Sequence, residues 1–275
     1  MGSKGIREVL ETFYDSYGWK VDPNTGQYLG QVLHEDLDPV VQKYMDKNEL
    51  RYARYFREGG RYFLDAGCGA EPRRALSRGF RRHVCADISM VGLTETRKEI
   101  GEAGCYVQAD LIALPFAQGA FDGTLASHCL YHIDKDLQIG ALKQLYRVTS
   151  PDKSVVVFYN SNYNLISVLH KVAKEIGKIS RRLVKVAGAS EQKDHSEASP
   201  PALYFHGHNP YWLTRDFSKA DVTCLRILTR LDTRLLRKLH LSKVILPLAA
   251  ALEKAIPRAL VLVGKYTAIG ITVEA

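Results

Sequence analysis

Three aspartates and a glycine-rich turn carry the clearest chemical signal in this chain. The run Phe63-Leu64-Asp65-Ala66-Gly67-Cys68-Gly69-Ala70 reads as a strand ending in a turn of small residues. Glycines there let the backbone approach a ligand closely, and a helix expected over Arg73–Gly79 would turn free N–H groups toward a negative group. Asp87 falls at the end of the second strand, where a carboxylate can accept both hydroxyls of a ribose. Asp110 ends the third strand, placed to accept a hydrogen bond from an adenine amino group while Ile88 and Leu111 sandwich the ring. Each aspartate alone reads equally well as a loop residue or a helix cap. Three at successive strand ends mark the carboxyl edge of a parallel sheet, which is where such sheets bind ligands.

A dinucleotide is the rival ligand. Its GxGxxG fingerprint is incomplete here, because Gly67-Cys68-Gly69-Ala70-Glu71-Pro72 lacks the last glycine and Glu71 would repel a pyrophosphate. The five cysteines form no CxxC pair and no Cys/His cluster with ligand spacing, so no metal and no disulfide framework is expected.

Those residues need elements to position them. Ile6–Tyr17 and Pro39–Phe56 read as helices joined by a turn-rich stretch. Short apolar runs of strand length then follow at 61–66, 82–86, 105–109, 121–127 and 154–159, with helical segments at 73–79, 90–101 and 134–149 between them. This alternation predicts an α/β doubly wound sheet with helices on both faces. From Asn160 it breaks. A basic amphipathic helix is expected over 165–186, a polar loop over 190–201, a helix near 210–218, a strand over 221–229, a helical region over 233–256 and a last strand over 267–274.

Taken together these pieces resemble the class I S-adenosylmethionine (SAM)-dependent methyltransferases. The resemblance runs from Tyr62 through Tyr159 and is carried by LDAGCGA, CADIS, VQADLIALPFAQGAFDGTLASHCLYHI and RVTSPDKSVVVF. Pro115-Phe116 and Phe121-Asp122 are similar to the segment before the fourth strand in the small-molecule branch, and FYDSYGW and LYFHGHN resemble segments of a bacterial subgroup. The resemblance implies a mostly parallel seven-stranded sheet with N-terminal helices and a helical C-terminal insertion. Residues 1–60 would form a helical lid, 61–160 the SAM-binding core, 161–220 a basic insertion on the substrate side, and 221–275 the last two strands with a helical region between them. By the same resemblance Asp65, Gly67, Cys68 and Gly69 would shape the methionine end of the cofactor site, and Asp87 would hold the ribose. Asp110, Leu111 and Ile88 would hold the adenine, while Ser127 and His128 border the sulfonium. One departure stands out: the family commonly has a third glycine where this chain has Glu71, followed by Pro72.

SAM is already an activated methyl donor, so the protein's task is to align donor and acceptor and to exclude water. A base is needed only when the acceptor must lose a proton. His132 and His128 sit where such a base would be, with imidazole pKa values ordinarily near neutrality. Tyr14, Tyr17 and Trp19 could fold over the sheet edge and set aromatic faces near the sulfonium or the substrate. His206 and His208 fall in the C-terminal region where this family usually contacts its substrate. SAM binding without transfer, or membrane docking alone, is the alternative function.

Charge is uneven along the chain. Residues 1–160 carry a net −1 and residues 161–275 a net +9, with Lys171, Lys174, Lys178, Arg181, Arg182 and Lys185 on one expected helix and Arg226, Arg230, Arg234, Arg237 and Lys238 later. A basic half suits a phosphorylated sugar, a lipid-linked acceptor or an anionic membrane surface, and equally a solvated helix face. Nucleic acid is disfavoured, since the segment after the fourth strand lacks an Asn/Asp-Pro-Pro-aromatic motif and a Pro-Cys pair. Val244–Gly264 is apolar and long, but Glu253, Lys254, Pro257 and Arg258 interrupt it. With no signal-peptide pattern at the start, a cytoplasmic protein is expected, in peripheral contact with the membrane if the basic half docks there.

Overall fold

A computed structural model describes residues 3–23, 26–34, 38–161 and 203–274. The helix and loop expected over 165–186 and 190–201 lie outside the described residues.

Seven strands form one sheet in the order β3-β2-β1-β4-β5-β7-β6. The strands are β1 (Gly60–Ala66), β2 (Phe80–Asp87), β3 (Gly104–Gln108), β4 (Gly123–Ser127), β5 (Ser154–Asn160), β6 (Ala220–Arg226) and β7 (Tyr266–Thr272). All run parallel except β7, which pairs antiparallel with both β5 and β6. The doubly wound, mostly parallel sheet expected from the alternation is therefore present.

Period-2 alternation sorts the strand residues into two cores. Leu64, Ala66, Ala126, Val155, Val157 and Tyr159 pack on one side with Ala141, Leu142, Leu145 and Val148 of a helix at Gln138–Val148. Phe63, Leu125, Val156 and Phe158 point to the other side, where Tyr52 and Phe56 cover them. β5 is buried along its whole length, as befits a central strand covered on both faces.

The helices are α1 (Ser3–Phe13), running into one π-helical turn at Tyr14–Gly18, then α2 (Leu29–His34), α3 (Pro39–Leu50), α4 (Met90–Ile100), α5 (Gln138–Val148), α6 (Pro210–Leu213), α7 (Arg230–Lys238) and α8 (Ser242–Ala255). Asp38 caps α3 by accepting from Val40 N, and Thr229 with Asp232 forms a capping box on α7. The single helical region expected over 233–256 is thus two helices.

One expected helix is absent. Residues 73–79 form overlapping turns, with Leu76 N donating to Arg73 O and Phe80 N to Ser77 O. Tertiary bonds outcompete the helical ladder there. Arg73 N donates to Asp65 Oδ2 at 2.8 Å, Ser77 Oγ bonds His83 Nδ1 at 2.8 Å, and Gly79 must come back against Gly59 and Gly60 so that its carbonyl accepts from Gly60 N. The glycine turn therefore has no helix N-terminus behind it, and Pro72 is not a first-turn residue.

Candidate active site

β1 and β4 are neighbours although β2 leaves one side of β1 and β5 leaves the far side of β4, so the chain reverses direction of winding between them. At such a switch point the loops after the two strands splay apart and leave a crevice. Here the glycine turn after β1 and Ser127–His132 after β4 line its walls, and the cavity has a volume of about 820 Å3. That lies within the roughly 300–1,000 Å3 typical of small-molecule sites.

Two glycines shape the turn, of which Gly67 lines the cavity and Gly69 lies beneath Trp19. Gly67 (φ 71°) and Gly69 (φ 54°) lie in the left-handed region. A Cβ on Gly67 would stand 2.7 Å from the Cys129 side chain, and one on Gly69 only 2.1 Å from the Trp19 ring. Trp19 thus sits directly on the turn, with Tyr14 stacked on it at 5.1 Å between centroids. Asp15 anchors this N-terminal segment by accepting from Ser89 Oγ, which in turn accepts from Gly92 N.

Carboxylates line the β1–β3 end. Asp65 is fully buried, accepts from Arg73 N, and faces His83 Nε2 at 3.2 Å. Burial opposes charging His83, but the Asp65 carboxylate and Cys85 outweigh it and raise the imidazole pKa to about 9. Asp87 accepts from Gly69 N at 2.7 Å and Ser89 N at 2.8 Å, one bond on each oxygen. Burial raises its pKa to about 6 against those two N–H bonds, with Asp65 and Asp15 adding to the rise. Asp110 accepts from Ile112 N at 3.1 Å and faces Arg7 Nε at 3.4 Å. Ile88 and Leu111 line the cavity beside it.

The two histidines after β4 differ. His128 is half-buried and held at φ 57°, and its desolvation together with the charges of Arg226 and Arg73 pushes its pKa well down. His132 Nδ1 lies 2.8 Å from the Tyr204 carbonyl, which can only accept, so Nδ1 carries the proton and Nε2 the lone pair of the neutral ring.

Several buried polar atoms on this wall have no hydrogen-bond partner: Asp65 Oδ1, Ser127 Oγ, His128 Nδ1, Asn160 Oδ1, Trp19 Nε1 and Arg226 Nε. Such orphans are costly in a closed core and are ordinary where a ligand completes them.

Of the aromatic and histidine residues singled out in the sequence, Tyr14 and Trp19 line the cavity. Tyr17, His206 and His208 lie off its wall. The Tyr17 ring packs on Phe13, and His208 bonds the Lys135 carbonyl through Nε2 and packs on Trp212. Sequence reasoning missed Tyr131, Asn160, Phe205, Lys265 and Tyr266, all on the wall. It noted Arg226 and Arg230 only as part of a basic half.

Residues 64–157 match the family described as Methyltransferase domain. The malonyl-(acyl-carrier protein) O-methyltransferase of Erwinia billingiae (strain Eb661) is 38% identical over 101 residues, which are 36% of this chain and 39% of that protein. The chain thus spans well under half the length of that relative. Among solved structures, Haemonchus contortus phosphoethanolamine N-methyltransferase 1, in complex with phosphoethanolamine and S-adenosylhomocysteine (SAH), shares the fold with a TM-score of 0.59 at 12% identity, over 100% of this chain and 50% of that one. The cyclase SpnF does so with a TM-score of 0.54 at 13% identity, over 98% of this chain and 97% of that one. Residues 64–157, about a third of the chain, are thus similar to a methyltransferase domain, and the seven-stranded sheet that holds them has the fold of those solved structures.

Proposed function

We propose that this protein transfers the methyl group of SAM to a small-molecule, sugar or lipid-linked acceptor. The observation that carries this reading is the row of partnerless buried polar atoms and strand-end carboxylates facing one cavity at the switch point.

The residues present fit the cofactor. Each Asp87 oxygen has a lone pair left after its backbone bond and can accept a ribose hydroxyl. Asp110, Ile88 and Leu111 would hold the adenine; Asp65, Gly67, Cys68 and Gly69, with Glu71 beside them, would hold the amino-acid end. Ser127 and His128 would border the sulfonium, with Tyr14 and Trp19 closing that end against water. When bound, SAM supplies a methyl group already activated on sulfur. His132 Nε2 is the atom that would take a proton from an acceptor that must lose one. Tyr131 and Phe205 pack on its ring, with centroids 4.5 and 6.3 Å away, and hold its orientation.

Calorimetry tests the reading: SAM and SAH are expected to bind and NAD not, because Glu71 lines the cavity where a pyrophosphate would lie. Equal binding of NAD would overturn the cofactor assignment. SAM binding with no transfer to any acceptor would favour a binding role, and the same fold in a cyclase shows that the architecture alone does not dictate methyl transfer.

A second observation favours contact with an anionic membrane surface. Among the described residues no helix is long and apolar enough to cross a membrane. Yet Leu231, Leu235 and Leu239, then Val244, Leu248, Leu252 and Ile256, repeat every fourth residue along α7 and α8 and are exposed, Leu231 at 66% and Leu248 at 61%. Exposed Arg234, Lys238, Lys243 and Lys254 accompany them. An aliphatic stripe with cationic neighbours suits an interface with anionic lipid. Liposome cosedimentation is expected to rise with anionic lipid content and to fall with salt; no binding at low salt would leave the stripe solvated.

A further inference from the structure

The geometry points to a phosphate-bearing acceptor, its phosphate held by Arg226 and Lys265 at the β6–β7 end of the cavity. This rests on the methyltransferase reading and names the substrate class of that same site.

The cavity is polar along its length. Asp65, Glu71, Asp87 and Asp110, with Arg73 the one cation among them, line the β1–β3 end, which suits the cationic cofactor, whereas Arg226, Arg230 and Lys265, with Asp232 the one carboxylate, line the other end. Topology brings them there. β6 runs parallel to β1, β4 and β5, so its last residue, Arg226, reaches the carboxyl edge, and the antiparallel β7 begins at that edge directly after Lys265.

Arg226 is held in place without being neutralised. Its guanidinium lies over the Tyr266 ring at 4.0 Å, its Nε is buried without a hydrogen-bond partner, and no carboxylate of the described residues forms an ion pair with it. The nearby carboxylates are engaged elsewhere: Asp232 accepts from Thr229 N and Oγ1, and Glu253 from Tyr44 Oη, Asn48 Nδ2 and Ile227 N. A half-buried cation with no anion paired to it among the described residues is costly unless an anion completes it. Three cations offset by the one Asp232 carboxylate call for about two negative charges, which a phosphomonoester carries and a lone carboxylate does not.

The cationic end also faces the reacting centre. The Tyr266 ring lies 6.0 Å from that of His128, and Arg226 is the leading charge that depresses the His128 pKa. A phosphate on Arg226 would therefore direct the rest of the acceptor toward Ser127 and His132, which lie on the β4 side of the same cavity.

The test is calorimetric titration of the SAH-saturated full chain with phenyl phosphate. The unaltered protein is expected to bind it, and Arg226→Gln to bind it about tenfold to a hundredfold more weakly, the loss of one charge-assisted contact. Arg226→Lys should recover part of the loss, and Arg234→Gln, an exposed arginine on α7, should show none. SAH affinity should stay unchanged in all of them. Should Arg226→Gln fail to fold, Lys265→Gln is read in its place. Displacement of phenyl phosphate by glucose 6-phosphate would assign the phosphate to a soluble acceptor, and displacement only by vesicles of phosphatidic acid in phosphatidylcholine to a lipid; both support the site. No binding of phenyl phosphate, or equal binding by the unaltered and Arg226→Gln proteins, overturns it. Absence of SAH binding in the unaltered protein overturns the methyltransferase reading instead.

Discussion

His132→Ala is expected to lower methyl transfer roughly 100- to 10,000-fold, the range for losing a positioned base, while leaving the SAH dissociation constant unchanged. The Tyr204 carbonyl accepts the hydrogen bond from Nδ1–H, with N···O at 2.8 Å, so the lone pair of the neutral ring is on Nε2. His128, four residues earlier, is the poorer base, because desolvation and the charges of Arg226 and Arg73 push its pKa well down. Transfer of labelled methyl at saturating SAM, beside calorimetry on the same preparation, separates turnover from binding. Unchanged turnover in a folded variant would remove His132 as the base and would mark the acceptor as a nucleophile that needs none.

Asp87→Ala should act on the other half of the site and weaken SAH binding by about tenfold to a few hundredfold, since charge-assisted bonds to ribose are worth roughly 1.5–3 kcal/mol each. The same residue predicts a pH dependence. Its pKa in the folded protein is raised to about 6 by burial, so below that pH the carboxyl is neutral. Ribose hydroxyls donate to the ionised form, so binding releases the proton, and affinity should fall by about tenfold for each pH unit below 6. For the ligand-free fold the sign is opposite: a raised carboxyl pKa contributes stability at low pH that is lost as pH climbs through about 6. Calorimetry from pH 5 to 8 checks both variants of the prediction; flat affinity across that range, or unaltered affinity in Asp87→Ala, would take the residue out of the cofactor site.

The amino-acid sequence by itself determined the sheet and its carboxyl edge. Alternating and continuous apolar runs define β1 to β7, and strand-end positions follow from them, which is why Asp65, Asp87, Asp110, Ser127 and His132 were legible and all line one cavity. Gly67 and Gly69 were legible as a turn, but the reason that glycine is required, the Trp19 ring seated on Gly69 and Cys129 against Gly67, involves partners about 50 to 60 residues away in the chain. Tertiary structure also removed an element: residues 73–79 have a helical pattern, yet the bonds from Arg73 to Asp65 and from Ser77 to His83 hold them as turns. His206 and His208 were expected as substrate contacts and lie off the wall: His206 N donates to the Tyr131 carbonyl and His208 N to Tyr159 Oη, and the His208 ring is taken up by the Lys135 carbonyl and Trp212. Arg226 and Lys265 show the limit most clearly. They stand 39 positions apart with ordinary surroundings in sequence, and only the antiparallel return of β7 between β5 and β6 sets both at the carboxyl edge, where two like charges face one cavity.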